Sequence, residues 1–197
     1  MAFVERLKRA AFRHRGLTPI PFLLLAVVFA NPVLWGLVTG FLLLCAGELL
    51  RFWAVSVAGG ETRTTRAPYG SQLVTGGPFA HLRNPIYAGN LLIYTGVGIM
   101  SMALFPWLLL TGILCFVLQY SLIISYEEDF LKDRFGDEYR SYAASVRRFI
   151  PRLGGNKSVH AAANTAVGLG SEKRSLQAEA FVVVLLIGIY LVRTGQG

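Results

Sequence analysis

The chain reads as an all-α integral membrane protein, with about five transmembrane helices and a polar cytoplasmic loop and helical segment between the spans. Three observations predict this class. Of 197 residues, 54% are hydrophobic and only 15% charged, too apolar a balance for an ordinary soluble domain. The apolar residues come in long unbroken runs, without the alternation of strands or the one-sided spacing of surface helices. The basic residues collect in alternate connecting segments, as they do in short cytoplasmic loops.

Residues 86–104 and 107–126 contain no charged side chain, and each covers roughly 30 Å as a helix, the thickness of the hydrocarbon layer. Residues 17–47 are apolar apart from Thr18, Asn31 and Thr39. A single helix of that length would run roughly 46 Å, too long for one crossing. Asn31-Pro32 is a turn dipeptide, so the spacing predicts a helical hairpin, 17–30 outward and 33 to about 57 in return. Residues 180–192 are hydrophobic all round, which predicts a last span.

Five basic residues precede the first span (Arg6, Lys8, Arg9, Arg13, Arg15), Arg63, Arg66 and Arg83 follow the second, and nine lie between Lys132 and Arg174. The turns at 31–32 and 101–106 carry none. This pattern predicts the N-terminus inside and the C-terminus outside, with only Arg51 and Arg193 falling elsewhere. The net charge of +8 therefore reads as membrane orientation, because the basic residues flank spans and form no continuous nucleic-acid patch. Cys45 and Cys115 lie inside spans without metal-ligand spacing, as buried thiols do. The basic, then apolar N-terminus mimics a signal peptide but lacks a small-residue cleavage site, and is read as retained. No internal repeat, P-loop or dinucleotide fingerprint is present.

Two polar segments remain. Residues 59–85 hold Gly59-Gly60, Pro68-Tyr69-Gly70 and Gly76-Gly77-Pro78, which predict an irregular loop packed close to a ligand or to other backbone. Residues 127–179 open as a helix to Gly136, a left-handed cap, after which Asp137 caps a second helix through Val146. Phe130, Leu131, Phe135, Tyr139, Tyr142 and Val146 form an apolar and aromatic face expected at the membrane boundary. From 154 to 175 the composition turns to Gly, Ala, Ser and Asn, which predicts a flexible linker.

Several of these residues are suited to chemistry. Asn84-Pro85 pairs an N-cap with a proline at the first helical position, so the loop ends on a helix N-terminus, with Arg83 beside it as an anion clamp. Arg83 reads equally as a positive-inside flank. Glu127-Glu128 stands where the fourth span emerges, on the same side. Adjacent acids at a helix end oppose the dipole, so they either bind a cation or form a solvated exit. Glu48 and Arg51 are ionisable groups inside the second span, read as a structural ion pair or as part of a site. His81 and Tyr87 are ambiguous singly.

Leu73-Val74-Thr75-Gly76-Gly77-Pro78-Phe79 and Arg83-Asn84-Pro85-Ile86-Tyr87-Ala88-Gly89, followed by Glu127-Glu128, Leu131, Phe135-Gly136, Tyr139, Tyr142, Arg148 and Pro151, resemble the ordered signature of the isoprenylcysteine carboxyl methyltransferase family, which is related to the phospholipid N-methyltransferases. The resemblance covers about residues 47–151. It implies a cytoplasmic site for S-adenosylmethionine, with S-adenosylhomocysteine as product. Leu73, Val74, Gly76, Gly77, Pro78, Phe79, Arg83, Asn84, Pro85, Tyr87, Glu127 and Glu128 are the implied cofactor-binding residues, and Arg83, Glu128 and Arg148 are the candidates for catalysis, with no metal. The cofactor's carboxylate and ammonium match the Arg83 helix terminus and the Glu127-Glu128 pair, while Gly76-Gly77 permits close approach to the nucleoside. Asn84 replaces the family's usual His. An amide caps and hydrogen-bonds but takes no proton at neutral pH.

The implied division is a basic N-terminus and hairpin at 1–58, a catalytic core at 59–151, a linker at 152–178 and a C-terminal span at 179–197. The expected acceptor is lipid-like, a prenylcysteine-like carboxylate or another hydrophobic acid, entering from the bilayer. Expected partners are that lipid and the bilayer, with no nucleic acid and no obligate protein. The competing readings are a phospholipid amine N-methyltransferase, a nicotinamide-dependent membrane reductase of similar architecture, and a non-enzymatic protein retaining the fold.

Overall fold

The computed structural model describes residues 2–59, 72–152 and 163–195. The expectations for Gly60, Arg63, Arg66, Pro68-Tyr69-Gly70 and 153–162 of the linker lie outside the described residues. Every regular element among the described residues is helical: α1 (Ala2–Arg13), α2 (Pro19–Val28), α3 (Leu34–Ala58), a 3-10 turn (Gly77–Ala80), α4 (Pro85–Ser101), α5 (Trp107–Ser145) and α6 (Thr165–Thr194). By length and composition α3, α5 and α6 can each cross a membrane, whereas α4 and α2 are shorter, at 17 and 10 residues. The predicted break between two helices is present, at 29–33 between α2 and α3, with the first helix shorter than the expected 17–30.

The chain divides into two compact units. The apolar one holds 15–49, 89–118 and 172–197. Its core gathers Ala26 and Ala30, Leu37 and Leu44 of α3, Ile93, Val97 and Met100 of α4, and Leu186 of α6. Exposed Trp35, Leu42, Trp107, Leu118, Phe181 and Val184 surround it, a surface suited to hydrocarbon and not to water. Here α3 and α4 meet backbone to backbone. A Cβ on Gly40 would stand 2.4 Å from Gly96 O, and one on Gly96 would stand 2.5 Å from Gly40 O. In a membrane, where apolar side chains gain little by leaving lipid, such close packing of small residues holds helices together. Tyr94 stacks on Phe116 at 4.4 Å, and Phe22 meets Phe116 edge-on at 5.4 Å. The Asn31 turn is tied down as well: its amide donates to Ser101 O at 2.8 Å, and Arg193 donates to its side-chain oxygen.

The second unit holds 1–14, 50–88 and 119–171. Within it α5 breaks at Gly136, whose φ of 52° and ψ of −120° leave the helical region, as expected of a glycine where the path must turn. The aromatic face beyond the break is turned inward instead of outward to lipid. Tyr139, Tyr142 and Val146 are buried, packed with Leu73, Leu131, Phe135 and Ala143. The redirected segment lays its apolar side on the 73–79 loop.

The flexible linker is also corrected. Helix α6 begins at Thr165, well inside the stretch expected to be linker. Asn164 caps it, its Oδ1 accepting from Val167 N at 3.2 Å, and Asn164 N donates to Ser56 O at 2.8 Å. Gly168 abuts Ser56 of α3 so closely that a Cβ would stand 2.1 Å from the hydroxyl. Small residues there serve helix packing.

Candidate functional site

The signature motifs converge inside the second unit. Residues 73–76 approach without regular structure, the 3-10 turn Gly77–Ala80 reverses the chain, and α4 starts at Pro85. The segment following α5 locks this corner in place. Arg83 N donates to Arg147 O at 3.0 Å, Arg152 N to His81 O at 2.9 Å, and the Asn84 side-chain amide to Arg148 O at 3.4 Å. The His81 ring lies against Arg152 O through Nδ1, at 3.0 Å. Tyr142 Oη donates to Phe79 O at 2.8 Å. Two stretches of chain far apart in sequence thus form one framework.

A cavity of about 420 Å³ opens within it, in the range of small-molecule sites. Leu73, Val74, Phe79, Arg83, Asn84, Pro85, Tyr87, Glu127 and Glu128 line it, together with Val57, Ala58, Gly59, Gln72, Ile86, Leu131, Tyr139 and Tyr142. Gly76, Gly77, Pro78 and Arg148 stand outside the lining. The close approach of Gly77 is to α3: a Cβ there would meet Val57 Cγ2 at 2.9 Å and Trp53 Nε1 at 3.4 Å. Sequence reasoning missed Tyr139 and Tyr142 as wall residues because their spacing signals only an apolar face.

Charge in the wall is ordered by the two acids, which do different things. Glu127 and Glu128 are both buried. Tyr87 Oη donates to Glu127 Oε1 at 2.7 Å. Glu128 accepts from Arg148 Nε at 3.1 Å and from a second Arg148 nitrogen, while Arg83 Nη1 lies 3.4 Å from its Oε1. Two guanidinium groups share the Glu128 carboxylate, and Glu127 beside it matches them with a second acid. Arg83 Nε is buried with no hydrogen-bond partner among the described residues. A buried unsatisfied donor of a charged group is costly, more than the ~1 to 3 kcal/mol of a neutral one, so this nitrogen favours an acceptor in the cavity. The Glu128 hydrogen bond raises the Arg148 pKa against the opposing effect of burial. Burial, reinforced by the Glu128 charge, pushes the Tyr139 phenol up to about 12, and burial likewise raises Tyr142. Both rings are therefore neutral hydroxyls at physiological pH.

These residues fit a zwitterionic amino-acid moiety: Arg83, just before α4, suits its carboxylate, and Glu127 suits its ammonium. Among the described residues no group of three or more His, Cys, Asp or Glu is placed to hold a metal ion.

The chain is 33% identical over 125 residues to the cobalt-zinc-cadmium resistance protein CzcN of Cupriavidus metallidurans, covering 64% of this chain and 52% of that one. It is 35% identical over 115 residues to a probable protein-S-isoprenylcysteine O-methyltransferase of Oryza sativa subsp. indica, covering 57% and 59%. It is 30% identical over 117 residues to the nickel-cobalt-cadmium resistance protein NccN of Alcaligenes xylosoxydans xylosoxydans, covering 59% and 50%. The chain thus spans about half the length of the curated relatives it matches. No solved structure matches. The family model described as phospholipid methyltransferase matches residues 35–138, just over half of the chain and most of the cavity wall, so the chain belongs to that family.

Proposed function

We propose that this protein is a membrane-embedded, S-adenosylmethionine-dependent methyltransferase acting on a lipid-like acceptor from the cytoplasmic side. The observation that carries the proposal is Arg83, a half-buried side chain in the cavity wall that shares Glu128 with Arg148 and keeps a buried Nε unpartnered among the described residues. Arg83 binds the cofactor's carboxylate, and Glu127, held by Tyr87, binds its ammonium. Leu73, Val74 and Phe79 from the loop and Leu131 from α5 supply apolar wall for the nucleoside. When bound, S-adenosylmethionine supplies an electrophilic methyl group on a sulfonium.

The protein's own residues then act by orientation and by excluding water. Arg148 holds Glu128, and Glu128 in turn fixes Arg83, so the clamp is preorganised. An ionised carboxylate acceptor needs no base, which suits a site where Asn84 stands in place of a histidine. Arg148 is the candidate cation for steering such an acid. A prenylcysteine-like or other hydrophobic acid is accordingly the preferred acceptor class, and a phospholipid amine, which must first lose a proton, is the alternative.

Titration calorimetry of the purified protein with S-adenosylmethionine, S-adenosylhomocysteine and NADPH tests the cofactor. Transfer of labelled methyl to hydrophobic acids, phospholipid amines and water-soluble acids in liposomes tests the acceptor. Binding of NADPH alone refutes the proposal. Turnover only of acceptors without an apolar tail refutes the lipid-like substrate.

A further inference from the structure

Helix α1 has three faces. At about 100° per residue, Glu5, Lys8 and Phe12 fall on one side, Phe3, Val4 and Leu7 on a second, and Arg6, Arg9 and Arg13 on a third. The first side is docked on α5. Lys8 Nζ lies 2.8 Å from Asp129 Oδ2 and 3.0 Å from Glu5 Oε1, and the Phe12 ring, 2% exposed, packs 5.3 Å from that of Tyr126. Docking fixes the rotation of the helix, so the other two faces are presented to the surroundings at set angles.

Both remaining faces are exposed. Phe3 is 76% exposed, Val4 49% and Leu7 44%, and Arg6, Arg9 and Arg13 are exposed beside them. A helix facing water alone carries polar residues where Phe3, Val4 and Leu7 stand. A helix inside hydrocarbon does not carry three exposed arginines. An apolar face adjoining a cationic one fits the boundary between acyl chains and negatively charged headgroups. We infer that α1 is seated in the interface of an anionic lipid surface, with Phe3, Val4 and Leu7 towards the acyl chains and Arg6, Arg9 and Arg13 on lipid phosphates. Its anchor, Asp129, directly follows Glu127-Glu128 on α5, so the lipid-seated helix grips the element that forms the cavity wall. The inference rests on these faces alone and stands whether or not the proposed chemistry is right.

The test uses the full chain with Cys45→Ser and Cys115→Ser, reconstituted in liposomes of phosphatidylcholine with or without phosphatidylglycerol. A fluorophore is attached at Phe3→Cys or, separately, at Arg9→Cys. In phosphatidylglycerol liposomes the Phe3→Cys label is expected to be quenched by brominated acyl chains and shielded from aqueous iodide, and the Arg9→Cys label to be reached by iodide. Replacing Arg6, Arg9 and Arg13 together by Gln in the Phe3→Cys protein lowers the preference for anionic lipid by roughly a hundredfold, at about fivefold per charge. Added salt weakens the same preference in the arginine-containing protein, which separates charge recognition from any misfolding of the variant. A Phe3→Cys label reached by iodide in both liposomes overturns the inference, as does shielding equal in neutral and anionic lipid. Shielding that tracks protein-to-lipid ratio would assign the face to a second copy of the chain instead.

Discussion

Arg148 holds the Glu128 carboxylate through Nε at 3.1 Å and through a second guanidinium nitrogen, across twenty residues of sequence. Glu128 is 5% exposed at its side chain and also meets Arg83 Nη1 at 3.4 Å. The fork therefore does more than neutralise a buried acid: it sets where Arg83 stands in the cavity wall. Lysine keeps the charge but loses the two-point geometry. Arg148→Lys is expected to weaken S-adenosylhomocysteine binding by about 1 to 2 kcal/mol, measured by calorimetry, through a loosened Arg83. Unchanged affinity would make the fork irrelevant to the site.

Arg83→Ala removes the cation that faces the cavity and leaves the remaining partners of Glu128 in place. A charge-assisted contact in a partly desolvated site is worth about 2 to 4 kcal/mol, so cofactor affinity should fall by that amount. Wild-type affinity in this variant would reduce Arg83 to a charge that orients the chain in the membrane.

How much of this was legible in the sequence follows from what each signal measures. Asn31-Pro32 and Gly136 mark breaks by local backbone chemistry, and both breaks are present. The hydrophobic runs predict the long helices for the same reason. Residues 165–175 read as linker because composition is blind to partners: Asn164 caps α6, and Gly168 packs on Ser56. The direction of the Tyr139 and Tyr142 face is equally invisible, since periodicity says that a face is buried and not against what. Glu127 and Glu128 look like one acidic pair. Only the fold separates them, one held by Tyr87 and the other by two arginines.

Tyr139 makes stability depend on alkaline pH. Its folded pKa, pushed by burial from 10.0 to about 12, exceeds the unfolded value, so the unfolded state loses its proton first. The contribution of the neutral ring is complete below pH 10 and is lost as pH rises from 10 to 12. The loss amounts to about 3 kcal/mol at most. Thermal unfolding in detergent should show this decline in the wild type and a smaller one in Tyr139→Phe. Parallel curves for the two proteins would remove Tyr139 from the account.

Gly40 tests the contact between α3 and α4. A side chain there meets Gly96 O at 2.4 Å and Met100 N at 2.7 Å, backbone atoms that cannot rotate aside. Gly40→Val is expected to cost about 1 to 3 kcal/mol or more, lowering the melting temperature in detergent. Gly188 on α6, where an added Cβ would meet nothing within 4 Å, provides the control. Gly188→Ala should be neutral or slightly stabilising, because alanine favours a helix by about 1 kcal/mol over glycine. Equal behaviour of the two variants would show that the close approach carries no stability.

Helix α6, at 30 residues, is roughly 45 Å long and exceeds the hydrocarbon thickness. Its first turn packs on Ser56 through Asn164 and Gly168. Its other end reaches the Asn31 turn, where Arg193 donates to the asparagine side chain. Asn31 lies in the turn that the charge pattern assigns to the outer face, since neither it nor 101–106 carries a basic residue. Arg193 is then an outside arginine retained for a hydrogen bond, an exception with a structural cause. Single cysteines at Ser171 and Gly195, introduced into the chain with Cys45→Ser and Cys115→Ser, should react with a membrane-impermeant maleimide from opposite faces of sealed vesicles. Ser171→Cys is expected to react from the cytoplasmic side and Gly195→Cys from the other. Labelling of both from the same face would show that α6 does not cross, and would return the Arg193–Asn31 contact to the side that carries the basic residues.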